Sequence, residues 1–313
     1  MTRPAVLTMG EALGMLTPED HGPMVHSSNL RLRIAGAEAN VAVGVRRLGH
    51  PTTWVGRLGN DPIGDRVVRE LTAERVTVVA VRDDAPTSLM VKERRTADLT
   101  RVHYWRRNSA GSLLSADDIP EDQLRAAAVV HLTGITPALG TGPRAAVMAA
   151  VETARSCGVT VSFDVNFRSQ LWEAHEAAPV LRDVVKHADI VFAGVHEAAL
   201  VTGASGADLL DELSALGPAT VLLKRGHEGA DAIIEGQRFS VPAHPARCVD
   251  PVGAGDAFAA GYLASLLHGW PPETRLDTAT RLGAIAVSTD GDWEGLPHRH
   301  ELDGFAGNDP VQR

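Results

Sequence analysis

DPVGAGDAFAAGY, residues 250–262, sets glycines at 253 and 255, an aspartate at 256, and then an apolar run. Two readings fit. Gly253 and Gly255 suit a tight turn, with Asp256 as a helix cap. The same arrangement also aims free backbone N–H groups at one point beside a carboxylate, as a helix amino end does when it binds an anion. Phe258, Tyr262 and Leu266 recur every four residues, which predicts an amphipathic helix with the glycines at its start. The N–H groups of Gly253, Ala254, Gly255 and Asp256 then sit where the helix dipole adds to them. Such a pocket suits charge developing on a transferred phosphoryl group, and Asp256 could accept a hydroxyl proton as a weak, ionised base. The residues alone leave the two readings level. A Walker GxxxxGK[ST] pattern is absent.

Working outward, the length of 313 residues fits one α/β domain over 1–313 with an appendage. A hydrophobic content of 44% is enough for a large core, and the net charge of −9 argues against a nucleic-acid or anionic-membrane surface. No apolar run approaches the roughly 18 residues of a membrane span. The opening MTRPAVLTMGEA lacks the apolar core of a signal peptide. The expectation is a soluble cytoplasmic protein. Cys157 and Cys248 lie in no CxxC or Cys/His pattern and read as reduced core or near-core thiols.

Short β-branched runs alternate with Ala/Leu/Arg-rich runs. Strands are predicted over Ala5–Met9, Thr53–Val55, Val76–Val81, 129–134, 159–166, Asp189–Phe192 and Thr220–Leu223. Helices are predicted over Val41–Leu48, Gly64–Leu71, Pro143–Cys157, Ala177–Lys186 and Ala207–Leu216. Continuous apolar strands in such an alternation imply a parallel sheet covered on both faces. Two stretches fall outside it, about 13–36 and 87–112; the second reads as strand, polar turn and strand. Together they predict a small β appendage able to cover a site. The tail 304–313 is polar and reads as frayed.

DPVGAGDAFAAGY resembles the carboxy-terminal signature of the ribokinase-like (PfkB) sugar kinases. GRLGNDPIGD (56–65) resembles their amino-terminal signature, and AGAEAN (35–40) their substrate turn. The matches run in order over essentially the whole chain. GAEANVA, YWRRNSAGS, HLTGITPAL, DVNFRSQLW and LKRG are most similar to the 2-keto-3-deoxygluconate kinases. The resemblance implies a doubly wound, mostly parallel α/β core with a β-sheet lid, ATP and Mg²⁺ as cofactors, and phosphorylation of a sugar's terminal primary hydroxyl. It leaves a monovalent cation open and raises a homo-oligomer through the lid as a family-level expectation.

Substrate charge can be argued from the residues. Alternation in RVHYWRRN puts Tyr104 and Arg106 on one strand face, and in SFDVNFRSQ it puts Asp164, Asn166 and Arg168 on another. Two guanidiniums and a phenol converging from lid and core suit a carboxylate, which arginine binds with a planar fork. The resemblance makes Tyr104, Trp105, Arg106 and Arg168 substrate contacts. It adds the turn of Gly36, Ala37 and Asn40, an apolar wall from Ile135, and Asp292 near a sugar hydroxyl. On the nucleotide side, VLLKRGHEGA (221–230) is a strand opening into a glycine loop. Lys224 offers positive charge, while Gly226 and Gly229 allow close backbone approach. The resemblance lays this loop along ATP, with Asn166 and Arg168 nearby.

The chain departs from the family pattern in three places. Ala35 precedes Gly36 where Gly-Gly is common. Glu197 of the usual N-x-x-E motif is kept to hold Mg²⁺ through water, but Gly194 replaces the asparagine. Met90 stands where the ketodeoxygluconate kinases carry a lid tyrosine, which opens an altered preference, including the galacto epimer. His103 and the HRH run (298–300) read as surface, His131 as a satisfied core imidazole, and no structural metal is expected. The competing functions are a kinase of a neutral sugar or nucleoside such as fructose or ribose, and a catalytically silent sugar-acid sensor. A nicotinamide dehydrogenase fails for want of GxGxxG after the first strand.

Overall fold

The computed structural model describes residues 5–20, 22–96 and 99–302. In chain order the strands are β1 (Val6–Met9), β2 (Leu13–Pro18), β3 (Leu30–Ala35), β4 (Thr52–Gly59), β5 (Thr77–Asp83), β6 (Leu89–Thr96) and β7 (Leu99–Trp105). After them come β8 (Val129–Thr133), β9 (Thr160–Asp164), β10 (Ile190–Gly194), β11 (Thr220–Lys224), β12 (Ala230–Ile234) and β13 (Gln237–Val241). Nine strands form the core sheet in the order β13-β12-β11-β10-β9-β8-β1-β4-β5. It is parallel from β5 through β11, with the β12–β13 hairpin antiparallel at one edge. The other four strands form a separate sheet, β3-β2-β6-β7, from the two stretches that broke the alternation. The tail 304–313 lies outside the described residues.

The hairpin was not legible in the sequence. Its two-residue turn is Glu235-Gly236, both at positive φ (51° and 80°). Asn-Gly or Asp-Gly would have announced that geometry, whereas glutamate rarely takes it. Several predicted elements differ in their bounds; the strand Thr53–Val55, for one, runs over Thr52–Gly59. The strand from 159 stops at Asp164, because Asn166 turns to φ 37°. The predicted helix Ala207–Leu216 is a 3₁₀ turn, Gly206–Asp208, followed by helix Leu209–Ala215.

Helix Ala254–Leu267 is buried from Asp256 through Ser265, so it is not the amphipathic rod its spacing predicted. Phe258 and Tyr262 pack edge-on against Phe192 of β10, at ring distances of 6.1 and 5.7 Å. Elsewhere around the helix, small residues let its neighbours come close. Gly44 of helix Ala37–Arg47 fits against Ala260, and Gly261 fits against Ala279 of helix Pro272–Val287. Helices meet this closely only where a side chain is missing. The fully enclosed rod thus rests on an Ala/Gly-rich sequence, which periodicity cannot distinguish from a half-exposed one. No helix among the described residues is long and apolar enough to cross a membrane.

Both cysteines are free thiols, in line with the reduced reading, but both are exposed and not in or near the core. Cys157 ends helix Thr141–Ser156, and Cys248 lies in the irregular run before the 250–253 turn. His131 is buried as expected, with Nδ1 2.9 Å from Ser162 Oγ, but it is only half satisfied, since Nε2 has no partner among the described residues. Burial, assisted by Lys224, lowers its pKa to about 3.

Candidate active site

The chain leaves β1 for β4 and β5 on one side and returns to β8, β9, β10 and β11 on the other. Strand order therefore reverses between β1 and β8. In open α/β sheets ligands bind outside the carboxyl ends of the strands at such a point. Those ends deliver Glu11 after β1, Ile135 after β8, Asp164 and Asn166 at β9, Glu197 after β10, and Lys224 at β11. The 250–253 turn approaches the same crevice.

Gly253 caps helix Ala254–Leu267 at φ 82°, the left-handed region that favours glycine. The first intrahelical bond runs from Ala257 N to Gly253 O at 2.8 Å. The N–H groups of Gly253, Ala254, Gly255 and Asp256 therefore have no partner within the helix. A Cβ at Gly253 would collide with the carbonyl of Asp292, whose backbone lies directly behind the turn. A Cβ at Gly255 would sit 3.3 Å from Lys224 Nζ, so the ammonium borders the unpaired amides. Lys224 Nζ holds both oxygens of Asp164, at 2.7 and 2.9 Å. Burial alone would lower the lysine's pKa, but Asp164, Glu197 and Asp256 outweigh it and raise it.

Asp256 is buried and accepts from Asn40 Nδ2 at 2.8 Å. Burial pushes its pKa up to about 7; Asp164 and Asp292 add to the rise, while the Asn40 bond and Arg168 oppose it. The sequence reading of an ordinary ionised cap is thereby corrected, because the helix terminus does not offset desolvation here. If the ionised form accepts the hydroxyl proton, kcat/KM must climb with pH through about 7. A pH–rate series checks this; a flat profile between about pH 5.5 and 8 would deny Asp256 that role.

Gly36 begins helix Ala37–Arg47 at φ 149°, with no room for a Cβ beside the Glu11 carbonyl. Ala35 ends β3 outside the positive-φ set, so the missing first glycine costs no strain. The turn sets Asn40 against Asp256 and near Asp292, and among the described residues Asn40 Oδ1 is a buried acceptor without a partner.

On the lid, Met90 pairs across the sheet with Tyr104 and joins Leu13, Met15 and Ala35 in an apolar patch. Arg106 does not face the site as a free cation. Its Nη2 is 2.9 Å from Glu11 Oε2, and its guanidinium lies over the Tyr104 ring at 4.2 Å. The expected pair of free arginines is thus reduced to Arg168, because a carboxylate at the end of β1 answers Arg106. Trp105 is also not brought to the site by its ring. It is 60% exposed, on the lid face opposite Tyr104, so only its backbone lies beside the pocket. His103, on that same outer face, is half exposed, as expected.

In the nucleotide loop, Gly226 takes φ 60° with open space around it. Gly229 is different: its missing side chain is filled by the Val241 carbonyl of β13, so it serves the hairpin and not ligand approach. Asn166 is buried and bonds back to Asp164 Oδ1 at 3.3 Å; it does not continue the strand face with Arg168. Glu197 accepts the N–H groups of Phe167 (3.0 Å) and Gly194 (2.6 Å), one on each oxygen. Each oxygen keeps a second lone pair, which suits water-mediated contact with Mg²⁺. Among the described residues no cluster of three or more His, Cys, Asp or Glu could bind a metal directly.

Three residues of the site escaped sequence reading. Lys92 carried a signal, since alternation from Met90 puts it on the inner lid face. Asp250 stood in the opening stretch, unused. Glu11 follows β1 and carried none.

The pfkB carbohydrate kinase family model matches residues 4–299. The chain belongs to that family. It is 34% identical to a 2-dehydro-3-deoxygluconokinase of Bacillus subtilis (strain 168), covering 96% of this chain and 94% of the relative. It is 33% identical to a fructokinase of Klebsiella pneumoniae, over 95% and 97%. A protein of Escherichia coli assigned as a Ribokinase II, solved in complex with ATP and Mg²⁺, superposes with a TM-score of 0.89 at 26% identity, over 97% and 99%. The protein is a ribokinase-like sugar kinase with a small separate sheet beside the core sheet.

Proposed function

We propose that this kinase transfers the γ-phosphoryl group of ATP to the terminal primary hydroxyl of a sugar acid, 2-keto-3-deoxygluconate or a near relative. One observation carries the choice of an acid. Arg168 projects at the mouth of the site, within electrostatic reach of Asp256. Among the described residues its guanidinium donates only to the Phe167 carbonyl, at a marginal 3.5 Å. Arg106, by contrast, is already matched to a carboxylate. A guanidinium left unmatched beside a base fits a ligand that brings its own carboxylate.

Asp256 accepts the hydroxyl proton as the new O–P bond forms and the bond to ADP breaks. The amides of Gly253 to Asp256, with Lys224 beside them, face the charge on the moving phosphoryl group. Gly36, Ala37 and Asn40 hold the sugar, with the unpartnered Asn40 Oδ1 accepting a hydroxyl, while Met90, Tyr104 and Ile135 supply apolar walls and Asp292 a polar one. Gly226 and Asn166 lie along the nucleotide. When bound, Mg²⁺ neutralises the β- and γ-phosphates, with Glu197 placed to hold it through water.

The matched Arg106–Glu11 pair favours a second reading, a neutral acceptor, and a fructokinase stands among the relatives. ADP release with both ketodeoxy-acid epimers, fructose, ribose and adenosine separates them. Arg168→Ala is expected to raise KM for the acid on the order of 10–100-fold and leave neutral sugars within about threefold. Faster turnover of fructose or ribose than of either acid defeats the acid reading. Binding of a sugar acid with no ADP release would point instead to a silent sensor.

A further inference from the structure

One buried lysine joins the lid to the phosphoryl-transfer turn. Lys92 follows Met90 by two residues on β6, so both side chains lie on the lid face toward the core. Its side chain is 1% exposed and contacts Asp250 and, at 3.2 Å, Asp292 Oδ1; those partners are 1% and 4% exposed. A lysine is buried to this degree only when its charge is answered, and here two carboxylates answer it.

Both aspartates serve the same turn. Asp250 Oδ1 accepts the N–H of Val252 at 3.1 Å, which shapes the chain into Gly253. The Asp292 backbone packs against Gly253, and its carboxyl lies near Asn40, whose Nδ2 donates to Asp256. An unbroken run of contacts therefore links the lid strand to the anion-binding amides and the carboxylate beside them. Two other lid cations reach the same loop. Arg33 meets Asp290 at 3.2 Å and Glu294 at 3.4 Å, and Arg94 meets Asp290. Those pairs are partly exposed and individually weak. Loss of Lys92, by contrast, leaves two buried carboxylates unanswered.

We propose that Lys92 is a positioning residue that couples seating of the lid to assembly of the 250–256 turn and keeps Asp256 able to accept a proton. This deepens the kinase reading and rests on it. Asp256 faces Asn40 from the helix after Gly36, Asp164 and Arg168 from the β9 end, Lys224 from β11, and Asp292 from the 290–294 loop. Lys92 offsets the charge of Asp292 in that ring. Without it the surplus negative charge makes Asp256 hold its proton more tightly, and the turn loses its tether.

The test uses whichever acceptor the wild-type protein turns over fastest, so a wrong choice of sugar leaves it intact. Lys92→Met is expected to lower kcat on the order of 100-fold, with KM for ATP changed by less than about fivefold. The acid limb of kcat/KM should move up by about one pH unit. Lys92→Arg, which keeps the charge but not the reach, should keep the wild-type limb while losing part of kcat. A wild-type limb in Lys92→Met, whatever its kcat, overturns the proposal. If Lys92→Met does not fold, Lys92→Gln with Asp292→Asn removes the one of the two unanswered carboxylates that acts on Asp256, and leaves Asp250. That double variant should retain a low kcat with the limb returned toward wild type; a wild-type kcat in it overturns the proposal equally.

Discussion

Replacing Asp256 by asparagine is expected to lower kcat on the order of a thousandfold while sugar-acid binding changes little, because general-base contributions run from about 10² to 10⁴. The amide keeps the shape and an oxygen for Asn40, but it cannot take a proton. A second readout moves the opposite way. The native carboxyl holds a proton up to about pH 7, while an unfolded aspartate releases it near 3.8. The folded state thus binds the extra proton between those values, and stability falls as pH rises through that window. Asp256→Asn removes the penalty. Its Tm should exceed wild type at about pH 8, and the gap should close toward about pH 4. Calorimetry and steady-state kinetics on one preparation decide it. Turnover within a few-fold of wild type would take Asp256 out of the mechanism.

Gly253→Ala should come close behind. The substitution forces a side chain onto φ 82° and into the Asp292 carbonyl. The turn must shift, and with it the amides of 253 to 256. Loss of one oxyanion donor costs about 10²–10³ in kcat, so a loss of that order is expected, with KM for the sugar changed by less than about fivefold. The sugar contacts at Gly36 and Asn40 stand on a different helix, which is why binding should survive. A Gly253→Ala protein with near-normal kcat would show that the amides do not face the moving phosphoryl group.

Much of this arrangement is legible in the amino-acid sequence. The alternation of apolar strands and helices points to the parallel sheet, and the two stretches outside it become β2, β3, β6 and β7. Those signals are local: period, turn residues and a glycine pair at a helix start depend only on near neighbours. The opposite holds where the sequence misleads. The raised pKa of Asp256 comes first from burial, which no motif displays, and then from Asp164 and Asp292, which are remote in sequence. Arg106 has the look of a free substrate arginine, yet the fold sets Glu11, 95 positions earlier, beside it. Gly229 resembles part of a ligand loop, yet β13 folds back against it.

The chain by itself therefore determined the layers, the lid segments and the acid-plus-amide motif, since each is written in contiguous residues. Only the fold decided which charges are answered. That outcome depends on desolvation and on partners brought together across strands: Lys92 matched to Asp250 and Asp292, Lys224 to Asp164, Arg106 to Glu11, and Arg168 without a carboxylate partner among the described residues.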